Sequence, residues 1–104
     1  MKKGYLIGLI KINNKNEFIE NFAKKIGPFL EKNDGKFLSR ATETHALEGR
    51  PHDIHVIVEF RDYNRAVELM ASNEWNDIQE ERRRYSNVSE GTFVLIREGD
   101  VLKD

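Results

Sequence analysis

The sequence predicts one α+β domain: a four-stranded antiparallel sheet with helices packed on one face. Three observations carry this expectation. Runs of branched and aromatic residues alternate with stretches of helical period, in the order β-α-β-β-α-β. The second and third β runs are separated by a turn signal, so they read as a hairpin. The two β-α-β halves follow one another without a linker, as in a split βαβ unit.

Gly4 to Ile12 is rich in branched and aromatic residues and reads as the first strand. Asn14 suits a helix cap, with Glu17 three residues on as in a capping box. Phe18, Phe22, Ile26 and Phe29/Leu30 then recur at helical spacing, giving one apolar stripe. Pro28 is expected to kink this helix or mark a boundary near its last turn. Asn33-Asp34-Gly35 ends it, the glycine being free to turn left-handed.

Lys36 to Glu48 reads as the second strand, with Phe37, Ser39, Ala41, Glu43, His45 and Leu47 on one face. Leu38, Arg40, Thr42, Thr44, Ala46 and Glu48 fall on the other. Gly49-Arg50-Pro51 supplies the turn, and Ile54 to Arg61 is the third strand. Asp62 can cap a helical stretch carrying Ala66, Val67, Leu69 and Met70. Ser72 or Asn73 restarts the helix, with Trp75, Ile78, Arg82 and Tyr85 along one side. Val88 to Arg97 is the fourth strand. The domain is expected over residues 1–98, followed by a polar tail over 99–104. This arrangement is ferredoxin-like, and right-handed crossovers put both helices on one side of the sheet.

Composition narrows the function classes. A formal net charge of −1 gives no global attraction to nucleic acid or anionic lipid, so neither is an expected partner. There is no cysteine, which excludes disulfides and thiolate chemistry and suits a reducing cytoplasm. The apolar run Tyr5-Leu6-Ile7-Gly8-Leu9-Ile10 ends at Lys11, far short of the ~20 residues of a spanning helix. No cleavage site follows it, so it reads as a strand rather than a signal peptide.

The sheet is apolar on both faces. Strand one has Leu6 and Ile10 on one and Ile7 and Leu9 on the other. Strand four sets Phe93 and Leu95 against Val94 and Ile96, and strand three sets Val56, Val58 and Phe60 against Ile57. A solvated face should alternate with polar residues. Two helices shield only one side, so a second copy of the chain, packed sheet to sheet, is expected to cover the other.

Arg40 heads the candidate site residues. It sits mid-strand, where a buried arginine needs a partner; Glu48, Glu59 and Arg82 are its candidate companions. It is either the structural half of an ion pair or an anchor for an anionic or carbonyl-bearing ligand. Arg82 shares a helix side with Trp75, and Tyr5, Trp75 and Tyr85 are candidates for an aromatic pocket, or else for ordinary core or dimer interface. His45 and His55 are candidate general bases, although a lone strand histidine is more often a hydrogen-bonded structural residue. His52-Asp53-Ile54-His55 does not converge by itself, because neighbouring strand residues face opposite ways; no metal site is expected. Glu80 and Arg84 make a surface helix pair.

Five segments carry a resemblance. Gly35-Lys36-Phe37-Leu38-Ser39-Arg40, Leu47-Glu48-Gly49, Val56-Ile57-Val58-Glu59-Phe60, Ala66, and Ser72-Asn73-Glu74-Trp75 with Arg82 seven residues on resemble the domain of unknown function 1330 family. The likeness runs through nearly the whole chain. It implies the dimeric α/β-barrel form of the ferredoxin-like fold. The chain departs from that family at Ala41 and Thr42, where glycines are usual, and at Asp53, Ile54 and His55, where arginine is usual. The family has no established biochemical function, and its superfamily spans cofactor-independent enzymes and regulators. Two functions are therefore expected to compete. One is a small-molecule-binding or cofactor-independent enzyme domain, with a pocket between sheet and helices near Arg40. The other is a non-catalytic homodimeric binding or regulatory module. Neither calls for a cofactor.

Overall fold

The computed structural model describes residues 1–103. Its elements are β1 (Gly4–Ile10), α1 (Lys15–Phe18), a π-helical segment (Ile19–Ala23), α2 (Lys24–Lys32), β2 (Gly35–Ala41), β3 (Ile54–Phe60), α3 (Tyr63–Met70), α4 (Asn73–Arg84), a 3₁₀ turn (Val88–Glu90) and β4 (Thr92–Arg97). The strands form one sheet in the order β2-β3-β1-β4, each neighbour antiparallel. This is the ferredoxin-like α+β fold. Residue 104, the last of the tail expected over 99–104, lies outside the described residues.

The helix starts follow the capping residues. The Asn14 side chain accepts from the Glu17 N–H, that of Asp62 from Asn64, and that of Ser72 from Trp75. The apolar stripe of the first helical stretch is buried throughout, at Phe18, Phe22, Ile26, Phe29 and Leu30. The helix is not uniform, however. It widens to π-helical turns over Ile19–Ala23 and runs on through Pro28 to Lys32. Proline has no N–H, so the Lys24 carbonyl lacks its usual donor four residues on.

The helix end differs from expectation. Asp34, not Gly35, takes the left-handed conformation, at φ 65°. Short polar residues tolerate that region. Gly35 is needed for a different reason: a Cβ there would stand 3.0 Å from the Leu30 carbonyl oxygen and 3.1 Å from the Phe60 ring. Glycine lets β2 start directly beneath the helix it has just left.

The second strand is shorter than its alternation suggests. It ends at Ala41, which pairs with His55, and residues 42–53 form an exposed to half-buried loop rather than a tight hairpin. Glu43, His45, Leu47 and Glu48 therefore have no sheet face. The register also shifts between Phe37 and Ser39. This bulge adds one residue, Leu38, and reverses the alternation beyond it. Phe37 opposes Val58 and Arg40 opposes Val56, so both lie on the helix side; Ser39 and Ala41 oppose Ile57 and His55 on the other. The first strand likewise stops at Ile10, with Ile12 making an isolated bridge to Ser86, and the fourth begins at Thr92 after the 3₁₀ turn.

Leu6, Ile10, Val58 and Phe60 of the sheet meet the helical stripe, Ala66 and Trp75 in one core. On the opposite face the central row runs Ser39, Ile57, Ile7 and Val94, flanked by Tyr5 beside Ile96 and by Leu9. Ile57, Val94 and Ile96 are 37%, 45% and 51% exposed, so no element among the described residues covers them. No helix among the described residues is long and apolar enough to cross a membrane.

Leu30 is fully buried where α2, β2 and the Phe60 ring meet. Leu30→Ala is expected to lower unfolding free energy by about 2–5 kcal/mol, read from urea denaturation at fixed protein concentration.

Candidate functional site

The β2 bulge sets up the first site. Because Phe37 and Arg40 share the helix side, the guanidinium stacks on the ring, its central carbon 4.4 Å from the ring centroid. Nη1 reaches toward Gly27 of α2, 3.7 Å from where a Cβ would stand. Arg40 is exposed, and it makes no ion pair among the described residues. It borders an open groove of about 500 Å³ between α2 and the β2–β3 edge, together with Lys24, Gly27, Glu31, Phe37 and Ile54. Beneath the groove a slit of about 30 Å³ leads inward between Phe22, Ile26, Phe37, Val56 and Phe93. The slit is room for about one water, but its walls are almost wholly apolar and offer water too few partners. The groove thus pairs a positive, aromatic-backed mouth with a greasy interior.

The other candidates do not join Arg40. Glu48 is exposed in the 42–53 loop, and Glu59 lies on the open sheet face, where its Oε1 accepts from Lys3 Nζ at 3.1 Å. That pair raises the Lys3 pKa through the hydrogen bond and charge of Glu59. Trp75 is core, between Phe29 at 6.1 Å and Phe93 at 6.2 Å. Tyr5 stands on the open face, and Tyr85 is half-buried. His45 is exposed in the loop. His55 lies on the open face with Nδ1 3.1 Å from the Ala41 carbonyl oxygen, and His52 Nε2 is 2.7 Å from that of Glu90. Neither candidate base shares a face with Arg40.

Arg82 occupies a second setting. It is buried at the end of α4, with its guanidinium carbon 4.2 Å from the Phe93 ring centroid. Its Nε–H donates to Gln79 Oε1 at 2.7 Å. Burial, followed by the neighbouring charge of Arg83, pushes its pKa down to about 10, which leaves it a cation at neutral pH.

Residues 3–98 match the family model described as Domain of unknown function (DUF1330). The chain belongs to this DUF1330 family. No curated protein matches it. Among solved structures, the DUF1330 chain is similar to RPA0582, a protein of unknown function from Rhodopseudomonas palustris, at 14% identity and a TM-score of 0.71, covering 95% of this chain and 84% of that one. It is similar to SnoaB, a cofactor-independent oxygenase from Streptomyces nogalater, at 13% identity and TM-score 0.66 over 100% of both chains. It is also similar to a dimeric protein of unknown function and ferredoxin-like fold from Bacteroides fragilis, at 11% identity and TM-score 0.51, covering 92% of this chain and 96% of that one. Identities this low establish the fold.

Sequence reasoning missed Lys24 and Glu31 of the DUF1330 groove. The signal was present: they are seven residues apart on one helix and flank Gly27-Pro28, so they share a face.

Gln79 and Arg82 form a buried polar unit in which each side chain supplies the other's partner. Gln79→Leu or Arg82→Met alone is expected to cost about 1–3 kcal/mol by leaving one polar group orphaned. The double variant, which replaces both with apolar groups of similar shape, is expected to recover to within about 1 kcal/mol of the parent. A double-mutant cycle in urea measures this coupling.

Proposed function

We propose that this DUF1330 protein is a homodimeric domain that binds small amphipathic molecules carrying a carboxylate or carbonyl group. The observation that carries the reading is Arg40: a guanidinium without a counter-ion among the described residues, held on Phe37 at the mouth of an apolar slit. Arginine's planar fork suits a carboxylate, and the Phe37 ring holds that fork in place, so little order is lost on binding. The ligand's apolar body lies along Ile54 and Phe37, with Lys24 at the rim adding attraction. The separation of His45 and His55 from the groove supports binding over histidine acid–base chemistry. A second reading, a cofactor-independent reaction in the same groove, is favoured by Glu31, a carboxylate on its wall.

Pairing completes the assembly. The row Ile57, Ile7, Val94, with Ile96 and Leu9, offers a second copy a self-complementary apolar face, worth several kcal/mol before association costs. The cysteine-free composition supports a reducing cytoplasm as its setting.

Aromatic carboxylates such as benzoate and naphthoate are expected to raise the melting temperature by about 10 °C or more near 100-fold over Kd, where linkage contributes about 2.7 kcal/mol. Arg40→Met should lose this shift while keeping the parent's circular dichroism. No shift with any such acid sinks the groove reading. Recovery of the acid unchanged fits binding; turnover lost in Glu31→Gln fits the second reading.

Ile57→Glu places a charge at the centre of the open face without touching the core. Sedimentation at micromolar concentration should find the parent dimeric and this variant monomeric and folded. A dimer that survives the substitution means pairing uses another surface.

A further inference from the structure

The Arg82 setting has one kind of atom in excess. Trp75, Gln79, Arg82 and Ser86 are all buried along α4 and the residues just beyond it, which makes this the helix's inward side. Opposite them, Gly8 of β1 leaves room for Phe93: a Cβ on Gly8 would stand 3.0 Å from its ring. The ring fills that space, and Arg82 rests against it. Arg82 is 8% exposed and Gln79 1%. The one hydrogen bond between their side chains uses the Arg82 Nε–H and the Gln79 carbonyl oxygen. What remains is donors only. Among the described residues, Gln79 Nε2 is buried with no partner, and the terminal nitrogens of Arg82 have none either.

Those terminal nitrogens are not sealed away, since they do not count among the buried orphan atoms. Arg82 lines a cleft of about 360 Å³ together with Ile10, Phe93, Ser86, Asn87 and Val88. The nearby acid is already engaged: Glu90 accepts from Arg50 at 3.0 Å and from Asn87 at 3.1 Å. Ser86 spends its hydroxyl on the Arg82 carbonyl oxygen. A recessed cation with no counter-charge is costly unless an anion meets it.

We propose that this cleft is a second ligand site, which holds the carboxylate of a small molecule on the terminal nitrogens of Arg82. Two parallel N–H···O bonds match fork to carboxylate. Gln79 fixes the guanidinium through Nε and so orients the fork. Phe93 backs it, and Ile10 and Val88 receive the apolar part of the ligand. A carboxylate fits better than a phosphate, because a single recessed guanidinium supplies one positive charge and the remaining cation on the wall, Arg83, is exposed. The site does not rest on the Arg40 groove: the groove and this cleft open on different edges of the fold and share no lining residue, while Ile10 and Phe93 line both the cleft and the slit beneath the groove.

The test is nitrogen-detected NMR on the full chain, following the Arg82 Nε–H and Gln79 side-chain amide signals. Sodium acetate is titrated against sodium chloride at equal ionic strength, and inorganic phosphate forms a third arm. Acetate should move both signals saturably, while chloride moves neither. Arg40→Met should leave this response intact, whatever becomes of the groove. The folded Gln79→Leu/Arg82→Met double variant should lose any acetate-dependent rise in melting temperature that Arg40→Met retains. Signals that follow the chloride control overturn the proposal. So does a stronger response to phosphate than to acetate, a response abolished by Arg40→Met, or an acetate-dependent melting shift that persists in the double variant.

Discussion

A sheet whose central row reads Ile57, Ile7, Val94 on one side and Val58, Leu6, Leu95 on the other has to be shielded twice. The chain's own helices reach one side. On that side Phe18, Leu30 and Val58 are sealed, and the packing fixes how far α2 stands from the β2–β3 edge. On the other side no element among the described residues shields the sheet, and Val94 and Ile96 remain about half exposed. The core therefore sets the groove's width, while the open face is the surface that the proposed pairing would cover. Lys36, Glu59 and His55 border that face and leave its centre apolar, which suits a specific pairing surface better than indiscriminate aggregation.

Both arginine settings follow from local irregularities rather than from the regular sheet. Without the bulge at Leu38, strict alternation would turn Arg40 away from the helices and onto the open face. With it, the guanidinium lies on Phe37 at the groove mouth. On the far edge, Gly8 leaves room for Phe93, and Phe93 gives Arg82 a surface to rest on. Each cation is held by an aromatic ring rather than a carboxylate, so each keeps N–H donors for something from outside the chain.

The order of elements and the faces of β1, β3 and β4 were legible because their alternation is unbroken and strongly apolar. Helix starts were legible at Asn14, Asp62 and Ser72, whose side chains make the capping bonds. The bulge was not, since Leu38-Ser39-Arg40 contains no glycine or proline to announce it. Thr42 to Glu48 keeps a strand's alternation but has no neighbour to pair with, since β3 begins only at Ile54. Arg40 was identified as a candidate from its residue type, yet its companions were misplaced: Glu48 left with the loop, Glu59 faces the other way, and Arg82 sits on a separate edge. Lys24 and Glu31 were hidden by their ordinariness as helix surface charges.

Small-angle scattering on the wild-type chain tests the central claim most directly, because mass and size come from one measurement. Covering the open face with a second copy should give twice the chain mass of 12.2 kDa and a radius of gyration well above the 14.0 Å of a single subunit. A mass of one chain and a radius near 14.0 Å at micromolar concentration would mean that the apolar face stands in water unaided, which contradicts the account at its root.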